Sequence, residues 1–135
     1  MKYMLDTNIC IYLMKNNQMV LNAFELKKDD GIAISTITLA ELEFGVSNNT
    51  EYYEKNRAKL LSLLTIVDIL PFDGAAAAEY GIIYADLTQK RLQIGKMDAL
   101  IAAHAKSCDL IVVTNNKREF VRVNGITIED WTATL

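Results

Sequence analysis

Leu110-Ile111-Val112-Val113 is apolar at four consecutive positions. A strand that is apolar on both faces must lie inside a domain with something packed above and below it. Tyr3 to Leu5, Ile32 to Ile34, Ile66 to Leu70 and Ile126 to Ile128 are further short runs that read as strands. Longer stretches of helical period separate them: Ile9 to Met14, Val20 to Lys27, a face marked by Leu39, Leu42 and Val46, then Glu51 to Leu64, Gly74 to Lys90 and Met97 to Lys106. Strands alternating with helices predict an α/β domain with a largely parallel central sheet. Lys28-Asp29-Asp30-Gly31 reads as a turn, with Gly31 free to adopt positive φ. Thr38, with Glu41 three residues on, reads as a capping box opening the third helix.

With 135 residues, the expectation is a single domain, 1–135, burying roughly two-thirds of its unfolded surface. No apolar stretch approaches the ~20 residues that span a bilayer, which predicts no membrane association. The apolar start meets Asp6 at once and lacks a signal-peptide pattern, so the default location is cytoplasmic. Cys10 and Cys108 have no metal-ligand or redox spacing and read as reduced core residues. A net charge of −3 is not the basic footprint of a nucleic-acid binder, although a cluster of acids around a metal would account for part of it.

In a parallel sheet the functional crevice lies beyond the carboxyl ends of the strands. Asp6-Thr7-Asn8 follows the first strand, and Thr114-Asn115-Asn116 follows Val113 in the same way. Asp6 can be an N-cap for the first helix or a metal ligand. Glu41 can be half of the capping box or a ligand. Asp98, near a helix start, shares a face with Ala102 and Ala105, which makes it a crevice acid in need of a partner. The oxygen donors Asp6, Glu41 and Asp98 suit Mg²⁺, with Mn²⁺ as the alternative, better than zinc. The lone His104 leaves no multi-histidine site and reads as a core or interface residue. No serine or cysteine stands beside a plausible base, and no phosphate-binding glycine loop is present. Carboxyl groups held too far apart to share one ion would remove the metal reading.

Five blocks carry a family resemblance: Met4 to Asn8, Thr36 to Gly45, Asp98 to Ala105, Val113 to Phe120, and Gly125 to Trp131. In order and spacing the chain resembles a PIN domain, and specifically the VapC toxins of VapBC toxin–antitoxin pairs, over essentially its whole length. The resemblance implies a PIN-like three-layer α/β/α fold with a central, mainly parallel sheet of four to five strands. It implies a Mg²⁺-dependent endoribonuclease leaving 5′-phosphate and 3′-hydroxyl ends, acting on structured RNA such as tRNA. Asp6, Glu41 and Asp98 are its matching acids, with Asp6 and Asp98 the foremost ligands. Many PIN domains carry a fourth acid where this chain has Asn115 and Asn116, and Glu119 is the candidate to stand in.

The resemblance further implies a homodimer silenced by a cognate VapB-type antitoxin, with operator DNA bound only through that antitoxin. Tyr12, Leu13, Phe44, Tyr52, Tyr53 and Leu60 are candidate groove residues for the antitoxin. Thr7, Asn8 and Thr114 are candidate supports for the acids. Two cationic groups, Lys90, Arg91 and Lys96, and Lys117, Arg118 and Arg122, are candidates for the RNA. An aspartyl-phosphate enzyme using Asp6 would want a second Asp at position 8, which is Asn8. The remaining alternative is a catalytically weak PIN-like regulator that binds RNA or a partner.

Overall fold

A computed structural model describes residues 1–133. Five strands, β1 (Tyr3–Leu5), β2 (Ile32–Ser35), β3 (Asp68–Leu70), β4 (Ile111–Val113) and β5 (Ile128–Glu129), form one sheet in the order β3-β2-β1-β4-β5. Every pairing is parallel. Seven α-helices are described: α1 (Thr7–Met14), α2 (Gln18–Lys27), α3 (Thr36–Asn48), α4 (Tyr53–Leu64), α5 (Gly74–Gln89), α6 (Lys96–Ser107) and α7 (Lys117–Phe120).

Side-chain alternation along the strands divides the interior in two. Tyr3, Leu5 and Val113 face a core completed by Ile9, Val20, Phe24, Leu42 and Leu60 from α1 to α4. Met4 and Val112 face the opposite core, completed by Ile83 and Leu87 of α5 and by Ala99, Ile101, Ala102 and Ala105 of α6. The result is the three-layer α/β/α architecture. The alanines of α6 are fully buried, and their small side chains let that helix lie close to the sheet.

Some boundaries differ from the sequence reading. Helix α3 begins at Thr36, because the Ser35 hydroxyl caps it by accepting from the Ile37 amide at 3.0 Å. Thr38 therefore lies buried in the first turn, and no capping box forms on it. Strand β3 starts at Asp68, later than Ile66, and β5 is shifted to Ile128–Glu129. Cys10 is buried but Cys108 is exposed, so only the first is a core thiol. Among the described residues no helix is long and apolar enough to cross a membrane.

The short edge strand β5 is fastened by side chains. Lys27 Nζ and Trp131 Nε1 both donate to Glu129 Oε1, at 2.7 and 3.0 Å. Trp131 packs edge-on against Tyr3 with ring centroids 5.4 Å apart, and the Lys27 ammonium lies over both rings. This fixes the segment that carries Asp130.

Gly31 turns into β2 with φ +92°, and its carbonyl accepts from the amides of Lys2 and Tyr3, both at 3.1 Å. A Cβ there would meet Met1 Cα at 2.8 Å. Gly31→Ala should therefore lower stability by about 1–3 kcal/mol in denaturant unfolding. Gly81→Ala, in open space inside α5, should raise it by about 0.5–1 kcal/mol.

Candidate active site

The strand register sets out the site. Leu5 pairs with Val113, and Val113 pairs with Glu129. One residue further on, Asp6, Thr114 and Asp130 follow in a row across the carboxyl ends of β1, β4 and β5. The Asp6 amide donates to the Val113 carbonyl at 3.0 Å, and the Thr114 amide to the Glu129 carbonyl at 2.9 Å. The sheet geometry thus places a central carboxylate at the rim before any side-chain contact is made.

Asp6 is only 2 % exposed. Its Oδ1 accepts from the Ile9 amide at 2.9 Å, so it does cap α1. The Thr114 hydroxyl also bonds it, and that hydroxyl accepts from the Asn116 amide at 2.8 Å. The cap bond uses Oδ1 alone, so capping does not by itself exclude a second role for Asp6. Burial first, and then the charges of Glu41 and Asp130, raise the Asp6 pKa above the ordinary carboxylate value despite these bonds.

Glu41 and Glu43 part company, as residues two apart on a helix must. Glu41 accepts from the Thr7 hydroxyl at 2.6 Å, beside Asp6. Glu43 pairs with Arg57 at 2.5 Å, away from the rim. Asn8 is exposed.

Asp98 lies in the first turn of α6 and is partly buried. Asn116 Nδ2 bridges Asp98 Oδ2 at 3.3 Å and Glu119 Oε2 at 3.1 Å. Burial, then a direct bond to Glu119, then the Asp6 and Glu119 charges push the Asp98 pKa up to about 6. Glu119 therefore stands at the rim through α7, with Asn116 where an acid was sought. Asn115 turns instead to Tyr12, donating to its hydroxyl at 3.1 Å, and its Oδ1 is buried without a partner.

Among the described residues, no three acids are gathered tightly enough to hold a metal as they stand. Glu41 is held by a hydroxyl, and Asp98 and Glu119 share the Asn116 amide. The donor set nonetheless fits a hard divalent ion. It is all oxygen, and two of its members, Asp6 and Asp98, hold protons more tightly than usual. His104 stands apart, buried and bonded through Nδ1 to the Ser35 hydroxyl at 2.8 Å, with its pKa lowered by burial. It ties α6 to the cap of α3 and serves as a structural residue.

The sequence reading missed Asp130, whose side chain is 11 % exposed and 3.9 Å from Lys117. A partial signal was available: Asp130 lies two residues past the predicted strand Ile126 to Ile128, and directly follows β5 only because that strand runs to Glu129. Of the other candidate cations, Lys90 pairs with Asp86 at 3.0 Å, and Arg122 donates to the Gln93 carbonyl at 3.1 Å. Of the candidate groove residues, Leu13 and Leu60 belong to the core, Tyr12 is half-buried, and Phe44, Tyr52 and Tyr53 are exposed. A cavity of about 230 Å³ between α1, α3 and α4 reaches Glu41. A larger one of about 520 Å³, between α1, α2 and α4, is lined by none of the acids.

The PIN domain family model matches residues 3–126. The chain is 42 % identical over 132 residues to the tRNA(fMet)-specific endonuclease VapC of Shigella flexneri, spanning 97 % of this chain and 98 % of that protein. It is 43 % identical over 133 residues to ribonuclease VapC2 of Rickettsia felis, spanning 97 % and 98 %. Among solved structures it is similar to a chain of the Rickettsia felis VapBC2 complex, bound to a DNA fragment from their promoter. There the TM-score is 0.92 at 41 % identity, over 97 % of this chain and 99 % of that one.

The raised pKa values carry a pH signature. The folded chain holds the Asp98 proton up to pH about 6, against an ordinary value of 3.8. Ionising Asp98 therefore opposes folding, and metal-free stability contributed by this group falls as pH rises across that window. Asp98→Asn should flatten that fall and melt about 3 °C above the metal-free wild type at pH 7, measured by thermal denaturation in chelator.

Proposed function

Because the chain belongs to the PIN domain family and, within it, to the VapC ribonucleases, we propose that it is a divalent-metal-dependent endoribonuclease, the toxin of a toxin–antitoxin pair. The observation that carries this reading is the rim itself. Asp6 and Asp98 meet there with raised proton affinity, Glu41 and Glu119 beside them, in a chain alignable end to end with RNA-cutting relatives. We assign Mg²⁺ as the ion, with Mn²⁺ as the substitute, and structured RNA, foremost a tRNA, as the substrate.

Asp6, Asp98 and Glu41 would hold the ion, which when bound polarises the phosphate and lowers the pKa of a water. The chain's own groups do the rest. Thr114 and the Ile9 amide fix the Asp6 carboxylate. Thr7 fixes Glu41, which would hold the ion directly or through water, or orient the attacking water. Asn116 holds Glu119 against Asp98, completing the acid set that the sequence lacks at positions 115 and 116.

The cognate VapB-type antitoxin would occupy the apolar cavity between α1, α3 and α4, where Glu41 lies at hand for a basic side chain. The protein would act as a homodimer and meet operator DNA through that antitoxin. A second reading, a catalytically weak RNA- or partner-binding regulator, draws on the amides at Asn115 and Asn116 and requires binding without turnover.

Purified protein should cleave tRNA with Mg²⁺, leaving 5′-phosphate and 3′-hydroxyl ends, and EDTA should abolish this. Asp6→Asn and Asp98→Asn should each lose about 10³-fold or more of the rate, since several kcal/mol of charge stabilisation goes with the ion. Thr7→Val, removing a support to Glu41, should lose about 10-fold. Undiminished cleavage in EDTA would exclude the metal mechanism, and tight RNA binding with no cleavage would favour the regulator.

A further inference from the structure

Asp130 is an acid of the rim with no place in the ligand set. The β4–β5 register puts it beside Thr114 and one strand further from Asp6. The Lys27–Glu129–Trp131 clasp holds its backbone. Its Oδ1 is taken by the Thr132 amide at 2.8 Å and the Thr132 hydroxyl at 2.5 Å. That leaves Oδ2, which faces Lys117 Nζ at 3.9 Å. Lys117 itself follows Asn116, the residue that bridges Asp98 and Glu119, and opens α7. Its side chain is 56 % exposed, and its ion pair with Asp130 is loose.

The chemistry of the rim gives such a lysine a task. RNA must bring consecutive phosphates against several carboxylates, and one bound ion offsets only the charge at the bond being cut. The neighbouring phosphate needs a cation of its own. Lys90, Lys106, Arg57 and Lys27 are each committed to a carboxylate within 3.3 Å, and Arg122 to a carbonyl. Among the described residues Lys117 has no carboxylate closer than 3.9 Å, and unlike Lys96 and Arg118, which have no ion pair there, it is tied to an acid of the rim. A pair 3.9 Å apart whose lysine is exposed contributes little to stability, so the lysine is free to serve binding. Asp130 keeps the ammonium beside the rim without pulling it into contact with Asp98 or Glu119.

We propose that Lys117 is the phosphate-binding cation of this rim, contacting the RNA backbone next to the bond being cut, and that Asp130 is its positioning residue. This rests on the ribonuclease reading. The proposal is tested by tRNA cleavage kinetics across a salt series at saturating Mg²⁺. Lys117→Ala should lose roughly tenfold in kcat/KM, mainly through KM, and flatten the salt dependence by about one charge. Lys117→Arg should restore most of the loss. Asp130→Asn, which keeps an oxygen for Thr132, should lose a few-fold alone and nothing more in the Lys117→Ala background.

An unchanged salt slope in Lys117→Ala overturns the proposal. So does an Asp130→Asn variant that needs more Mg²⁺ for half-maximal rate, which would make Asp130 an ion ligand. Normal cleavage by Lys117→Ala with weakened antitoxin inhibition overturns it too, moving the lysine to the partner interface. A wild type that cuts no RNA defeats the ribonuclease reading itself, and this proposal with it.

Discussion

A carboxylate at the end of the central strand, sealed from water, is the constraint around which the rest of the molecule is arranged. Asp6 is 2 % exposed in the middle of a five-stranded sheet. Removing an ionised carboxylate from water is costly unless donors or a cation compensate. The chain supplies two donors, the Ile9 amide and the Thr114 hydroxyl, and still leaves the pKa raised. Neighbouring acids add repulsion where attraction would have stabilised the fold. A buried carboxylate held in this way at a strand end is a candidate ligand site.

The surroundings that impose this are ordinary packing. Both faces of the sheet are covered, so the strand cannot shift to expose Asp6 without opening two cores. Helix α6 approaches closely because its inner face is alanine, and that approach carries Asp98 to the rim. The His104–Ser35 bond ties the same helix to the start of α3, the helix of Glu41. The two helices that bear acids are thus joined beneath the crevice, and their relative position is set by buried groups well away from the solvent.

Much of this was legible in the residues. Leu110 to Val113 required a covered strand, and alternation with amphipathic stretches required a parallel sheet. Gly31 was readable as a positive-φ turn. The separation of Glu41 from Glu43 followed from helix geometry alone. What misled was local chemistry with two valid outcomes. Thr38 and Glu41 have the spacing of a capping box, yet Ser35 is the cap, because β2 runs one residue further than its apolar run. Cys108 had the composition of a core thiol but falls just past the end of α6, in the open.

The sequence by itself determined the elements, their order and the kind of donor available, since periodicity and residue type are properties of short segments. It could not determine which strand end lies beside which. Register across β1, β4 and β5 joins segments distant in the chain, Tyr3 with Ile111 and Val112 with Ile128, and it alone aligned Asp6, Thr114 and Asp130. Tertiary structure also decided that Asn116 would join Asp98 to Glu119 and that Asp130 would face Lys117. Those are distances between side chains, and only the closed fold has them.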